Sequence, residues 1–154
     1  MALPRGVTGF RSRTAPPLPE TDVRAFRGHC HAAARALAGA VRAVEPPYSA
    51  NTNNHAIGTL EWNASSVSVL LNAHFPLIGF AEPTEAGELS IRFVDSPELA
   101  EVFRGFGVYE VLGREALEQP VTREAVAELA KAEREQFGHW RPVRIGDVIF
   151  HCWG

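Results

Sequence analysis

The sequence predicts an α+β fold: a mainly antiparallel sheet of four to five strands, a long N-terminal helix packed on one face, and two to three further helices from the C-terminal half. Three observations carry this expectation. Residues 22–44 repeat apolar side chains at helical spacing, residues 55–94 break into short apolar runs separated by turn residues, and helix-start signals return after residue 95. The runs follow one another through short connections, which favours a meander over a wound parallel sheet.

Residues 1–18 are rich in Gly, Arg, Thr and Pro and end in Ala-Pro-Pro-Leu-Pro, so they read as an extended N-terminal arm with little intrinsic structure. Residues 19–154 read as a single domain. Thr21 is placed to cap a helix over Asp22–Val44, whose apolar stripe is Val23, Phe26, Cys30, Ala33, Leu37, Val41 and Val44. The alanines and Gly39 along it allow close approach to a sheet, and Pro46-Pro47 stops it. A polar loop, Tyr48–Asn54, leads into strands His55–Trp62 and Ser66–Ala73 around a turn at Asn63-Ala64-Ser65. Pro76 marks a bend or an edge. Strand Leu77–Ala81 follows, then a turn over Glu82–Gly87 and a strand over Leu89–Val94. Ser96-Pro97-Glu98 is a helix start: serine caps, proline takes the first position, and glutamate sits in the positive first turn. That helix ends near Gly105. Val108–Leu112 reads as a strand, and Thr122 caps a helix reaching about Phe137, with Val126, Leu129, Ala130 and Phe137 inward. In the tail, Ile145, Val148, Ile149, Cys152 and Trp153 fit one helix face capped by Asp147, although the run is also short and apolar enough for a buried strand.

A chain of 154 residues buries roughly 68–70% of its unfolded surface and needs no staples. Its two cysteines are too few for a disulfide scaffold. No secretory signal or membrane-length apolar run is visible, so a cytoplasmic protein is expected. Fourteen arginines against one lysine suggest a GC-rich, bacterial genome. The net charge of −3 points to no partner by itself. The charge is uneven: residues 1–44 carry seven arginines and two acids, a net +5, and residues 45–154 carry eight basic and sixteen acidic groups, a net −8. An acidic body suits a basic protein partner through steering. Nucleic acid is disfavoured, because no aromatic residues interleave with the arginines.

The candidate chemistry lies on the central hairpin. Strand alternation sorts Ala56, Gly58, Leu60, Trp62, Val67, Val69 and Leu71 to one face. The other face takes His55, Ile57, Thr59, Glu61, Ser66, Ser68, Leu70, Asn72 and His74. In either plausible register His55 and His74 are near neighbours. As candidate catalytic residues, His55 and His74 would act as acid and base with Glu61 orienting one of them, while Asn54, Asn72 and Arg92 would bind ligand or stabilise charge. The bland alternative is an ordinary solvated sheet face. His29-Cys30-His31 cannot converge on one ion, because helical neighbours point about 100° apart. No nucleophile elbow, phosphate loop or His-x-x-x-His pair is present, and nothing requires a metal or cofactor. The leading expectation is a non-catalytic binding protein, of the kind that neutralises a basic toxin as an immunity protein; the alternatives are a small hydrolase using the hairpin set and, more weakly, a metal-binding protein.

Overall fold

The computed structural model describes residues 1–49, 53–84 and 90–151. Its elements are α1 (Val23–Ala36), β1 (Ala40–Glu45), β2 (His55–Trp62), β3 (Ser65–Asn72), β4 (Leu77–Ala81), α2 (Pro97–Gly105), β5 (Glu110–Val111), α3 (Arg114–Glu118), α4 (Arg123–Val126), α5 (Lys131–Trp140) and α6 (Ile145–Ile149). The strands form one sheet in the order β1-β2-β3-β4-β5. The first three pairings are antiparallel and β4–β5 is parallel. The fold is therefore α+β as expected, with a mixed sheet.

The α1 helix is shorter than its apolar stripe implied. Asp22, not Thr21, is its cap, and the Asp22 carboxylate accepts from the Ala25 N–H at 2.9 Å. The Thr21 hydroxyl instead donates to the Asn72 and Ala73 carbonyls, tying the helix start to the end of β3. The helix ends at Ala36, and the chain turns through Ala38 in a left-handed conformation (φ 54). Residues 40–45 then form an edge strand rather than the last turns of a helix. The apolar spacing misled for a specific reason. A bulge at Arg42 shifts the register between Val41 and Ala43, so Val41 pairs with Leu60 and Val44 with Gly58. Both valines pack against the α1 core at a three-residue spacing that imitates a helix.

The hairpin closes through Asn63 and Ala64, both left-handed, which is the two-residue arrangement matched to strand twist. His55 pairs with Asn72 and Trp62 with Ser65, so β3 starts one residue earlier than expected. Against its inner face pack α1 and α2, in a core built on Phe26, Cys30, Leu60, Val69, Leu71, Ile78, Phe80 and Phe103. Gly58 lets the Cys30 sulfur approach the sheet where a side chain would block it.

The opposite face carries a second core. Leu70, Leu77 and Ala81 from the sheet meet Leu117, Leu129, Val148, Ile149 and Phe150 from the C-terminal helices. Leu3 and Val7, both fully buried, complete it, so residues 1–9 pack into the body although residues 1–18 hold no helix or strand. The expected strand over Leu89–Val94 starts outside the described residues and is reduced to one bridge, Phe93 to Ala81. The expected helix from Thr122 to Phe137 breaks into α4 and α5, although Thr122 does cap α4 by accepting from Ala125 N–H at 3.2 Å. The tail forms α6, whose cap position is Arg144 rather than Asp147; Asp147 sits in the first turn and accepts from the Arg144 N–H at 3.0 Å. Cys152, Trp153, Asn51, Thr52 and the Glu85–Leu89 part of the expected turn and strand lie outside the described residues.

Candidate functional site

The hairpin residues separate into three environments. At the inner end, Asn54 and Asn72 are fully buried and act as a clamp. Both side-chain amides donate to the same two carbonyls, Val7 O (3.3 and 2.8 Å) and Ile149 O (3.0 and 2.8 Å). The amide orientation of Asn54 follows from chemistry, because its Oδ1 accepts from the His151 backbone N–H at 2.8 Å. The His55 Nδ1–H therefore donates to that same oxygen at 3.0 Å. The Asn72 Oδ1 accepts from the N–H groups of His74 and Phe75.

His55 is buried, with its ring edge-on to Phe150. Burial, reinforced by the nearby His151, pushes its pKa down to about 3, so it stays neutral across the physiological range. His151 is buried as well and is pushed down to about 4 by desolvation, against the opposing effect of its bond to the Thr8 carbonyl. That bond, at 3.0 Å, places the proton on Nε2.

His74 belongs to a different neighbourhood. Its Nδ1–H donates to the Pro19 carbonyl at 2.7 Å, and its Nε2 takes the Tyr48 hydroxyl at 2.7 Å. Both ring nitrogens are thereby engaged, and no described contact joins this ring to His55. Glu61 lies on the exposed outer part of the hairpin, 3.6 Å from Arg42. Arg92 is exposed and faces Glu82 at 3.6 Å. The structure thus brings His55, Asn54 and Asn72 together inside the protein, and gives His74, Glu61 and Arg92 separate partners elsewhere.

The arrangement that best fits a ligand site lies at the start of α1. A cleft of about 550 Å³ opens between residues 19–22, the flank of α1, the β3–β4 turn and residues 108–109. Such a volume is within the usual range for small-molecule sites, roughly 300–1,000 Å³. Its floor is apolar, formed by Leu71, Phe75 and Pro76, with Val108 more than half exposed at the side. Its polar wall is His29 and Tyr109: the His29 Nδ1 and the Tyr109 hydroxyl are 2.6 Å apart. The His29 ring stacks on Phe106 with centroids 4.3 Å apart. Burial raises the Tyr109 pKa to about 12, helped by Cys30 and Asp22, so the phenol stays protonated. Helical periodicity puts His29, Asp22 and Ala25 on one flank of α1, away from the exposed Arg24, His31 and Arg35. The partners are eighty residues apart in sequence, so no local pattern announced the pair.

Cys30 is a core thiol, raised to about 12 by desolvation. Among the described residues, no group of three or more His, Cys, Asp or Glu side chains is placed to hold a metal ion. No described helix is long and apolar enough to cross a membrane. No protein-family model, no curated protein and no solved structure matches the chain.

Proposed function

We propose that this chain is a non-catalytic binding protein whose ligand site is the cleft at the start of α1. The observation that carries the reading is the cleft itself, an open volume of about 550 Å³ with an apolar floor and the His29–Tyr109 pair in its wall. Three of the other histidines support it indirectly. His55 and His151 are spent on internal bonds in the neutral state, and His74 is tied down at both nitrogens. The hydrolase alternative, with His55, His74 and Glu61 as an acid–base set, gains no support from these separate partners. The arginine-rich, lysine-poor composition supports a bacterial origin.

The test is a titration of the isotope-labelled chain with small aromatic fragments. Amide shifts are expected to cluster at Ala25, His29, His74 and Val108. Ala25 is exposed on the α1 flank and lines the cleft, so Ala25→Trp should fill the cleft without disturbing the core and abolish the response. Shifts scattered over the surface, or untouched by that substitution, would count against the reading.

A second reading is favoured by a different observation. Glu98, Glu101, Glu110, Glu115, Glu124 and Glu128 are all exposed on the half of the chain that carries the acidic excess. Such a surface suits a basic protein partner, as an immunity-type protein would need. A complex that forms rapidly at low salt and weakens steeply as salt is raised is the expected signature.

A further inference from the structure

Resting on the cleft reading above, we propose that the cleft selects a small molecule with an apolar or aromatic body and a protonated amine. No arginine or lysine lines the cleft, whereas two carboxylates, Glu20 and Asp22, do. Neither has an ion-pair partner among the described residues. Asp22 uses one oxygen, Oδ1, to cap α1 and keeps the other.

The remaining polar side chains of the cleft already have partners within the protein. Tyr109 stays protonated and neutral, the Thr21 hydroxyl is used on the Asn72 and Ala73 carbonyls, and both His74 nitrogens are occupied. The α1 N-terminus contributes about +0.5 of an elementary charge, which Asp22 offsets and Glu20 exceeds. The arginines of α1 are of no help to an anion, because Arg24 and Arg35 sit on the exposed face of the helix and Arg27 reaches the Val44 carbonyl, and none of the three lines the cleft. A cation is therefore favoured and an anion repelled, while Leu71, Phe75, Pro76 and Val108 offer surface to an apolar body of modest size. Aromatic rings from Phe75 and Tyr109 suit a cationic or aromatic guest in addition.

Three probes that share a phenylethyl body separate the possibilities on the intact chain: phenethylammonium, 2-phenylethanol and 3-phenylpropionate, each titrated by heteronuclear NMR. The ammonium probe should bind in the cleft at least about fivefold more tightly than the alcohol, the gain that two partly exposed charge pairs can supply. The carboxylate should be the weakest of the three. In the double variant Glu20→Gln, Asp22→Asn the ammonium should fall to the alcohol's affinity and the alcohol should be unchanged; asparagine remains a good helix cap, so the fold is preserved. Equal binding of ammonium and alcohol, or tighter binding of the carboxylate, overturns the amine assignment and leaves the cleft reading standing. If none of the probes moves the resonances of Ala25, His29 and Val108, both fall together.

Discussion

Glu133 shows how much a single buried side chain organises here. It is fully buried, and its two carboxylate oxygens accept from Gly6 N–H (2.7 Å), Thr8 N–H (3.1 Å), the Thr8 hydroxyl (2.6 Å) and Ala130 N–H (3.0 Å). A buried carboxylate is tolerable only when so fully bonded. Glu133→Gln would turn an amide NH₂ toward a donor already in place, and should cost about 2–3 kcal/mol in urea unfolding. Glu135→Gln, which loses only an exposed pair with Lys131, should change stability by less than about 0.5 kcal/mol. The buried imidazoles make a second prediction. His55 and His151 are held near 3 and 4 in the folded state, well below their ordinary 6.5. Between those values the unfolded chain binds protons that the folded chain refuses, so stability falls as pH drops from about 6.5 to 4 and is flat in this respect above. Each histidine contributes a slope of up to about 1.4 kcal/mol per pH unit. His55→Asn keeps the bond to Asn54 and should flatten the urea-midpoint profile over that window; an unchanged slope would show that His55 does not titrate as its burial requires. Of the residues singled out from sequence, Asn72 was recognisable as a polar-face residue and Asn54 as part of a polar loop, but their role as a clamp depends on carbonyls of residues 7 and 149 that no sequence pattern links to them.

Two glycines, one within α1 and one between α1 and β1, have opposite surroundings. Gly28 is inside α1, and a methyl group there would meet nothing within 4 Å. Gly28→Ala should therefore stabilise by about 1 kcal/mol through helix propensity alone. Gly39 lies against the Glu61 carbonyl, and a methyl group there would also sit 2.8 Å from the Trp62 Cβ. Neither neighbour is the flexible end of a side chain, so Gly39→Ala should destabilise by about 2 kcal/mol by prising β1 from β2. Thermal melts of the two variants moving in opposite directions would verify the pair. The hairpin was the most legible element, since alternation over eight residues and an Asn-Ala turn leave little freedom in parity. The β1 strand was the least legible, because its bulge mimics helical spacing. The β4 strand carried a signal that periodicity alone underweights: all five residues, Leu77–Ala81, are buried, as a strand covered on both faces must be.

The molecule as a whole is a sheet between two unlike cores, and the N-terminal residues belong to the second. Leu3 and Val7 are fully buried, while Val7 O, Thr8 and Gly6 satisfy Asn54, Asn72, His151 and Glu133. Deleting residues 2–9 removes two buried aliphatic side chains, each worth about 1.5–3 kcal/mol, and strands several buried polar groups. The sum rivals the roughly 5–15 kcal/mol that holds a domain folded, so the truncated chain should lose its cooperative unfolding transition by circular dichroism. A transition unchanged in midpoint would show instead that the segment is dispensable. The sequence by itself determined the α+β class, the hairpin, its two faces, the starts of α2 and α4, and the poverty of catalytic motifs, although Ser96 holds the cap position of α2 without a side-chain cap bond while Thr122 makes one at α4. These follow from interactions within a few residues of chain, where pleat, helical repeat and capping chemistry act. Tertiary structure alone decided that the second face is covered, that His55 is interior while His74 is tied to Tyr48, and that His29 meets Tyr109 beside an open cleft. Those outcomes are set by which distant segments bury the remaining apolar surface together, and burial is a property of the assembled chain rather than of any stretch of it.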